Sequence, residues 1–242
     1  PYNARISRRS FLRAAGLLTL AVGLAACGST AGSSASAAAS AVEYSLDDAV
    51  KAEFTDSGIT LSPENASGCT VEGTVLTITA AGTYAVSGSC ADGSIQIRKG
   101  TEDVTLVLNG LTLTSTTTAP LVCGKSSGVT LAAAEGTENT LTDGEANNKD
   151  NANASEDAES AVVKCKDGSQ VVLCGTGTLN LHAVGKNGIK SGTTEEDRDA
   201  SLTIRALTLN IDAPVNDAIN AEQQLDVESG TLNIAAGDDA VH

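Results

Sequence analysis

The chain has 242 residues, 41% of them hydrophobic but only 2% aromatic, with neither Met nor Trp. That length suits one or two domains, and the abundance of Ala, Gly, Thr, Ser, Val, Asn and Asp favours a β-rich stack of small side chains over an α/β enzyme built on large ones. Fifteen basic against thirty acidic residues give a net charge of −15, which argues against a nucleic-acid-binding surface.

Residues 1–26 are predicted to be a signal peptide. Ser7-Arg8-Arg9-Ser10-Phe11-Leu12-Arg13 resembles the bacterial twin-arginine export motif, and the apolar run Ala14 to Ala26 follows it. Thirteen residues are too few to span a bilayer comfortably. The run ends in Leu24-Ala25-Ala26-Cys27, which resembles a lipobox and implies that Cys27 becomes a lipidated N-terminus. Residues 27–43, almost wholly Ser, Ala, Gly and Thr, cannot bury enough apolar surface to order themselves and are expected to be a disordered tether. The folded part is thus expected at the extracellular face of a bacterial membrane, held by its lipid anchor. Without the leader's four Arg the chain has eleven bases against thirty acids, a net charge of −19.

An oxidising compartment lets cysteines pair. Cys69 and Cys90 flank one strand-turn-strand stretch and are the leading disulfide candidate, with Cys165 and Cys174, or Cys123 and Cys165, as a second pair. Spacing does not fix the connectivity.

Tyr44 to Thr55 reads as a short amphipathic helix or a capping segment. From about Ile59 onward short β-prone runs recur, among them Val75-Leu76-Thr77-Ile78-Thr79, Val104-Thr105-Leu106-Val107-Leu108 and Val171-Val172-Leu173, bounded by Gly, Asn, Asp or Ser. Thr178-Leu179-Asn180-Leu181, Thr208-Leu209-Asn210-Ile211 and Thr231-Leu232-Asn233-Ile234 restate one pattern. Each leads through a turn into Asn187-Gly188-Ile189, Asp217-Ala218-Ile219 or Asp239-Ala240-Val241. A period near 22 residues is what three short strands and three turns need to make one coil of a parallel β-helix, with Thr193 to Asp199 absorbed as a loop. The last coil is predicted to hold Ile219-Asn220-Ala221, Leu225-Asp226-Val227 and Leu232-Asn233-Ile234. An antiparallel β-sandwich also has alternating strands, but it gives no reason for the repeated Thr-Leu-Asn.

In such a solenoid the turns Lys186-Asn187, Asn216-Asp217 and Asp238-Asp239 superpose, and their side-chain oxygens line up at the coil spacing. Calcium takes six to eight oxygen ligands, so Asn187, Asn216, Asp217, Asp238 and Asp239 form a candidate calcium ladder, which Asp157 could join from the acidic stretch Asp143 to Glu159. That stretch otherwise reads as a solvated excursion. Asx hydrogen bonds in ordinary turns are the alternative reading of the same residues. Lys186 marks the first copy as a weaker site. The outward Thr178, Asn180, Thr208, Asn210, Thr231 and Asn233 form a polar strip able to bond sugar hydroxyls, or an ordinary solvated sheet face. His182 and His242 do not form a metal pair by spacing.

The pattern resembles a family of bacterial carbohydrate-binding domain-containing proteins, calcium-loaded right-handed parallel β-helices related in shape to polysaccharide lyases. The resemblance runs over 44–242, through Gly73-Thr74-Val75-Leu76-Thr77-Ile78-Thr79-Ala80-Ala81-Gly82-Thr83-Tyr84, Glu135-Gly136-Thr137-Glu138-Asn139-Thr140-Leu141-Thr142-Asp143-Gly144 and Gly237-Asp238-Asp239-Ala240-Val241-His242. It implies an all-β domain over 44–242 with calcium as cofactor that binds plant cell-wall polysaccharide, acidic pectic chains or cellulose; from the repeat itself, Asn180, Asn210 and Asn233 are the residues expected against the sugar. Without Trp there is no stacking platform for a flat glucan, so an acidic pectic chain bridged by calcium fits better than cellulose. A monomer is expected. A spacer or adhesin would use the same fold and tether. A lyase would need a base beside a carboxylate cluster, and nothing in the sequence places Lys186, Lys190 or Arg205 there. The chain begins at Pro1 and stops at His242, where further coils are expected, so it reads as truncated.

Overall fold

The computed structural model describes residues 44–195 and 198–242, with the backbone of Ala4–Arg5 and Leu18–Ala21. Those two short strands pair antiparallel with Gln224–Val227 and Thr231–Ala236. The rest of the predicted leader, Cys27 and the tether lie outside the described residues.

Alternation of apolar and polar residues at period two gives strands throughout, and the fold is all-β. Val50–Thr55 shows the rule where a helix was one of two expectations: Ala52 and Phe54 are buried while Lys51, Glu53 and Thr55 are exposed. A helix would have split Ala52 and Phe54 between faces. This strand pairs parallel with Gly82–Cys90 and antiparallel with Gly58–Ser62, closing the leading end of the sheet.

From Gly128 the chain advances in tiers of three strands. Gly128–Ala133, Glu138–Asp143 and Ala161–Cys165 make one tier; Gln170–Gly175, Thr178–His182 and Asn187–Lys190 make the next. Ser201–Ile204, Thr208–Ala213 and Ile219–Asn220 follow, and then Gln224–Val227 and Thr231–Ala236. First strands pair with first, second with second and third with third, all parallel. The predicted Thr-Leu-Asn copies are in register residue for residue. A sandwich has no such pairing. The first and second columns belong to a fourteen-stranded sheet, joined through the long strand Val104–Ser115, and the third forms a seven-stranded sheet.

Inward side chains repeat by column. Leu113, Leu141, Leu181, Ile211 and Ile234 stack along one line, and Leu106, Leu131, Leu173 and Ile204 along another. Neighbours in a column lie one strand spacing apart, about 4.8 Å. Each buried Leu or Ile contributes about 1.5–3 kcal/mol, so aliphatic residues fill the interior, with Phe54 and Tyr84 the only buried aromatics among the described residues.

The stretch expected to be a solvated acidic excursion has Glu145, Asp150, Glu156 and Asp157 exposed, but it is pinned beneath them. Asn147 is fully buried; its Nδ2 donates to Asp143 Oδ2 at 2.8 Å and to the Ala161 carbonyl at 3.0 Å, and its Oδ1 accepts from the Glu159 N–H at 2.6 Å. Asn148 Nδ2 donates to the Gly185 carbonyl at 3.0 Å. Charge counting does not reveal this pinning, because two amides and the buried carboxylate of Asp143 make it.

Candidate functional site

On the outer face of the larger sheet, Thr178, Thr208 and Thr231 form one column and Asn180, Asn210 and Asn233 the next. All six are half-buried. Asn210 Nδ2 donates to Asn180 Oδ1 at 2.7 Å, Asn233 Nδ2 to Asn210 Oδ1 at 2.8 Å, and Asn180 Nδ2 to Glu138 Oε1 at 2.9 Å. Asn210 and Asn233 each spend one donor on the neighbouring amide, whereas Asn180 Nδ2 also reaches Thr140 Oγ1 at 3.4 Å. Beside this ladder lies an open depression of about 200 Å³, lined by His182, Asp212 and Ala235 as well as Asn210 and Asn233. His182 Nδ1 stands 4.0 Å from Asp212 Oδ2. Fixed amides, a carboxylate and an imidazole next to a shallow apolar floor suit the hydroxyls and the less polar face of a sugar ring.

The second group lies at the turns leading into the smaller sheet. Ligand atoms of Asp217, Asp239 and His242 fall within 4.8 Å of one another. Asp217 is 3% exposed, and among the described residues no Lys or Arg pairs with it. Its Oδ2 accepts from Asn220 Nδ2 at 2.7 Å and its Oδ1 from the Asp239 N–H at 3.3 Å. Asn220 Oδ1 is buried with no hydrogen-bond partner. A buried carboxylate without a cation and an orphaned amide oxygen beside it are a donor set that fits a hard divalent ion.

The other predicted ligands are placed differently. Asn216 Nδ2 donates to Asn187 Oδ1 at 2.8 Å, and Asn187 Nδ2 to the Ser160 carbonyl at 2.8 Å, so these two amides hold the turns together. Asp238 and Asp157 are exposed and stand outside the group of three. Lys186 pairs with Asp150 and Arg205 with Glu228. Spacing sets His242 aside only as a partner of His182; its position three residues after Asp239 is the signal that places it here, and Asn220 carries no such signal.

The five described cysteines are free thiols, Cys69 and Cys90 among them. The side chains that meet are Cys123 and Cys165, in register on neighbouring parallel strands, where their mutual hydrogen bond and burial push the Cys123 thiol well up.

A family model described as carbohydrate-binding domain-containing protein matches residues 72–242. The chain belongs to this family. A relative from Acetivibrio thermocellus, also described as a carbohydrate-binding domain-containing protein, is 27% identical over 158 residues, covering 65% of this chain and 54% of the relative. The chain therefore spans about half the length of the curated relative it matches. Among solved structures, a polysaccharide lyase-like protein from C. thermocellum, in a gadolinium derivative, aligns with a TM-score of 0.44 and 21% identity over 80% of this chain and 93% of that one. The family is named for binding and not for catalysis.

Proposed function

We propose that this member of the family is an exported, lipid-anchored, calcium-dependent polysaccharide-binding protein for acidic pectic chains of the plant cell wall. In this reading residues 1–26 direct export by the twin-arginine route, Cys27 carries the lipid, 27–43 are the tether, and 44–242 form a monomeric right-handed parallel β-helix. The observation that carries sugar binding is the Asn180–Asn210–Asn233 ladder beside its open depression, which presents a fixed amide on each tier.

Asp217, Asp239 and the Asn220 amide oxygen are the groups that would hold calcium. The ion would supply positive charge on a strongly acidic molecule, letting a polyuronate approach a surface that otherwise repels it. The protein's own residues orient the sugar: the amides donate to and accept from ring hydroxyls, and the tiers fix their spacing.

Calorimetric titration of calcium into the chain, with and without polygalacturonate and cellulose fragments, tests the reading. Calcium uptake followed by heat with polygalacturonate, and no unsaturated product, is the expected result. Absence of calcium binding makes the acidic turns ordinary turns and favours the spacer.

A further inference from the structure

We propose that Lys164 and Lys190, on the outer face of the smaller sheet, form a docking site for the carboxylate of a uronate residue. This rests on the reading of an acidic polysaccharide as ligand, and it places the charged part of that ligand on a different sheet from the asparagine ladder.

The two lysines are register partners on neighbouring parallel strands, and the same column continues from Lys190 to Asn220. On the other side of Lys164 the column holds Val122, which is 7% exposed and offers no charge. Lys164 is half-buried and has no carboxylate within ion-pairing distance among the described residues. The nearby acids are engaged elsewhere: Glu159 binds Lys166 at 2.6 Å and Lys149 at 3.7 Å, and Asp167 binds Lys125 at 3.3 Å. Lys190 pairs with Glu222 at 3.5 Å, which leaves Lys164 as the ammonium without a partner among the described residues. Burial, and then the like charge of Lys190, lower the pKa of the Lys164 amine.

A half-buried ammonium beside a second ammonium is unfavourable without an anion to share them. A carboxylate seated beside Lys164 and Lys190 gives Lys164 the partner it lacks and offsets the repulsion between the two ammoniums. The net charge of −15 makes this local pair a rare foothold for an anion. The column leads on to Asn220, whose Nδ2 holds Asp217. Asn220 lies one tier beyond Lys190, so the proposed calcium group sits next to the end of this column.

The test is binding of oligogalacturonate by the full chain, its fully methyl-esterified counterpart, and the variants Lys164→Gln, Lys190→Gln and Lys99→Gln. Lys164→Gln and Lys190→Gln should each weaken the acidic oligomer by roughly ten- to a hundredfold, the worth of a hydrogen bond to a charged group. The esterified oligomer should bind the wild type and Lys164→Gln alike, and Lys99→Gln should bind as wild type. Acylation of the unaltered protein with an amine-reactive ester, read by mass spectrometry, is independent of variant folding: oligogalacturonate should protect Lys164 and Lys190 but not Lys99. Wild-type binding that Lys164→Gln leaves unchanged, or binding without protection of Lys164, overturns this site alone. No binding of acidic sugar by the wild type overturns it together with the functional reading.

Discussion

The Nδ2 of Asn210 donates to the Oδ1 of Asn180 at 2.7 Å, and Asn210 in turn accepts from the next tier at 2.8 Å. Its side chain therefore serves the stack as well as any ligand. Asn210→Ala deletes both bonds and should cost about 1–3 kcal/mol, whereas Asn233→Ala, which deletes one of these two bonds, should cost less. Urea denaturation measures both, and equal midpoints for the two variants would refute a stabilising ladder.

Glycine freedom matters at Gly175, where φ is +102° and an added Cβ would lie 2.1 Å from the Ala133 carbonyl oxygen in the tier before. Gly136 also has positive φ, +69°, but its Cβ would meet nothing within 4 Å. Gly136→Ala should therefore lose about 1–2 kcal/mol for the left-handed backbone, and Gly175→Ala distinctly more because the tiers must move apart. Comparable melting temperatures for the two would contradict this.

Asp143 is 1% exposed, and its Oδ1 accepts the Gly185 N–H at 2.9 Å. Burial pushes its carboxyl up, against the hydrogen bonds from Gly185 and Asn147 that pull it down. With the folded pKa above the unfolded one, the native state binds the proton more tightly in the interval between them. This group's contribution is present below the ordinary aspartate range and is lost as pH rises through the raised folded value. Relative to Asp143→Asn, wild-type stability should fall across that interval and be level above it. A difference that stays constant with pH would count against it.

Cys123 and Cys165 are buried side by side, and hydrogen bonding and burial favour the protonated Cys123 thiol. Since the thiolate is the reactive form, an aromatic disulfide reagent should leave both unmodified in the native protein and modify them once urea unfolds it. Rapid labelling of either in the folded chain would show that the interior opens there.

The periodic part of the molecule was legible because a stacked strand restates its neighbour: Thr178-Leu179-Asn180 announces Thr208-Leu209-Asn210 and Thr231-Leu232-Asn233 at a distance. Asp217 and Asp239 were legible for the same reason. Lys164 was not, since its meaning depends on Lys190 beside it and on acids already engaged by other lysines. Asn147 was hidden among the charges of its loop, and the Tyr44 to Thr55 stretch was too short for its period to separate strand from helix.

In-register stacking makes the molecule a ruler graduated in whole tiers. Inserting or removing one residue within Thr208–Ala213 would turn its inward Leu209 and Ile211 outward. Adding a complete tier would leave every column intact and lengthen the asparagine row by one step. On the proposed reading, the length of polymer such a surface grips is therefore set by how many tiers the chain winds, independently of the chemistry each tier presents.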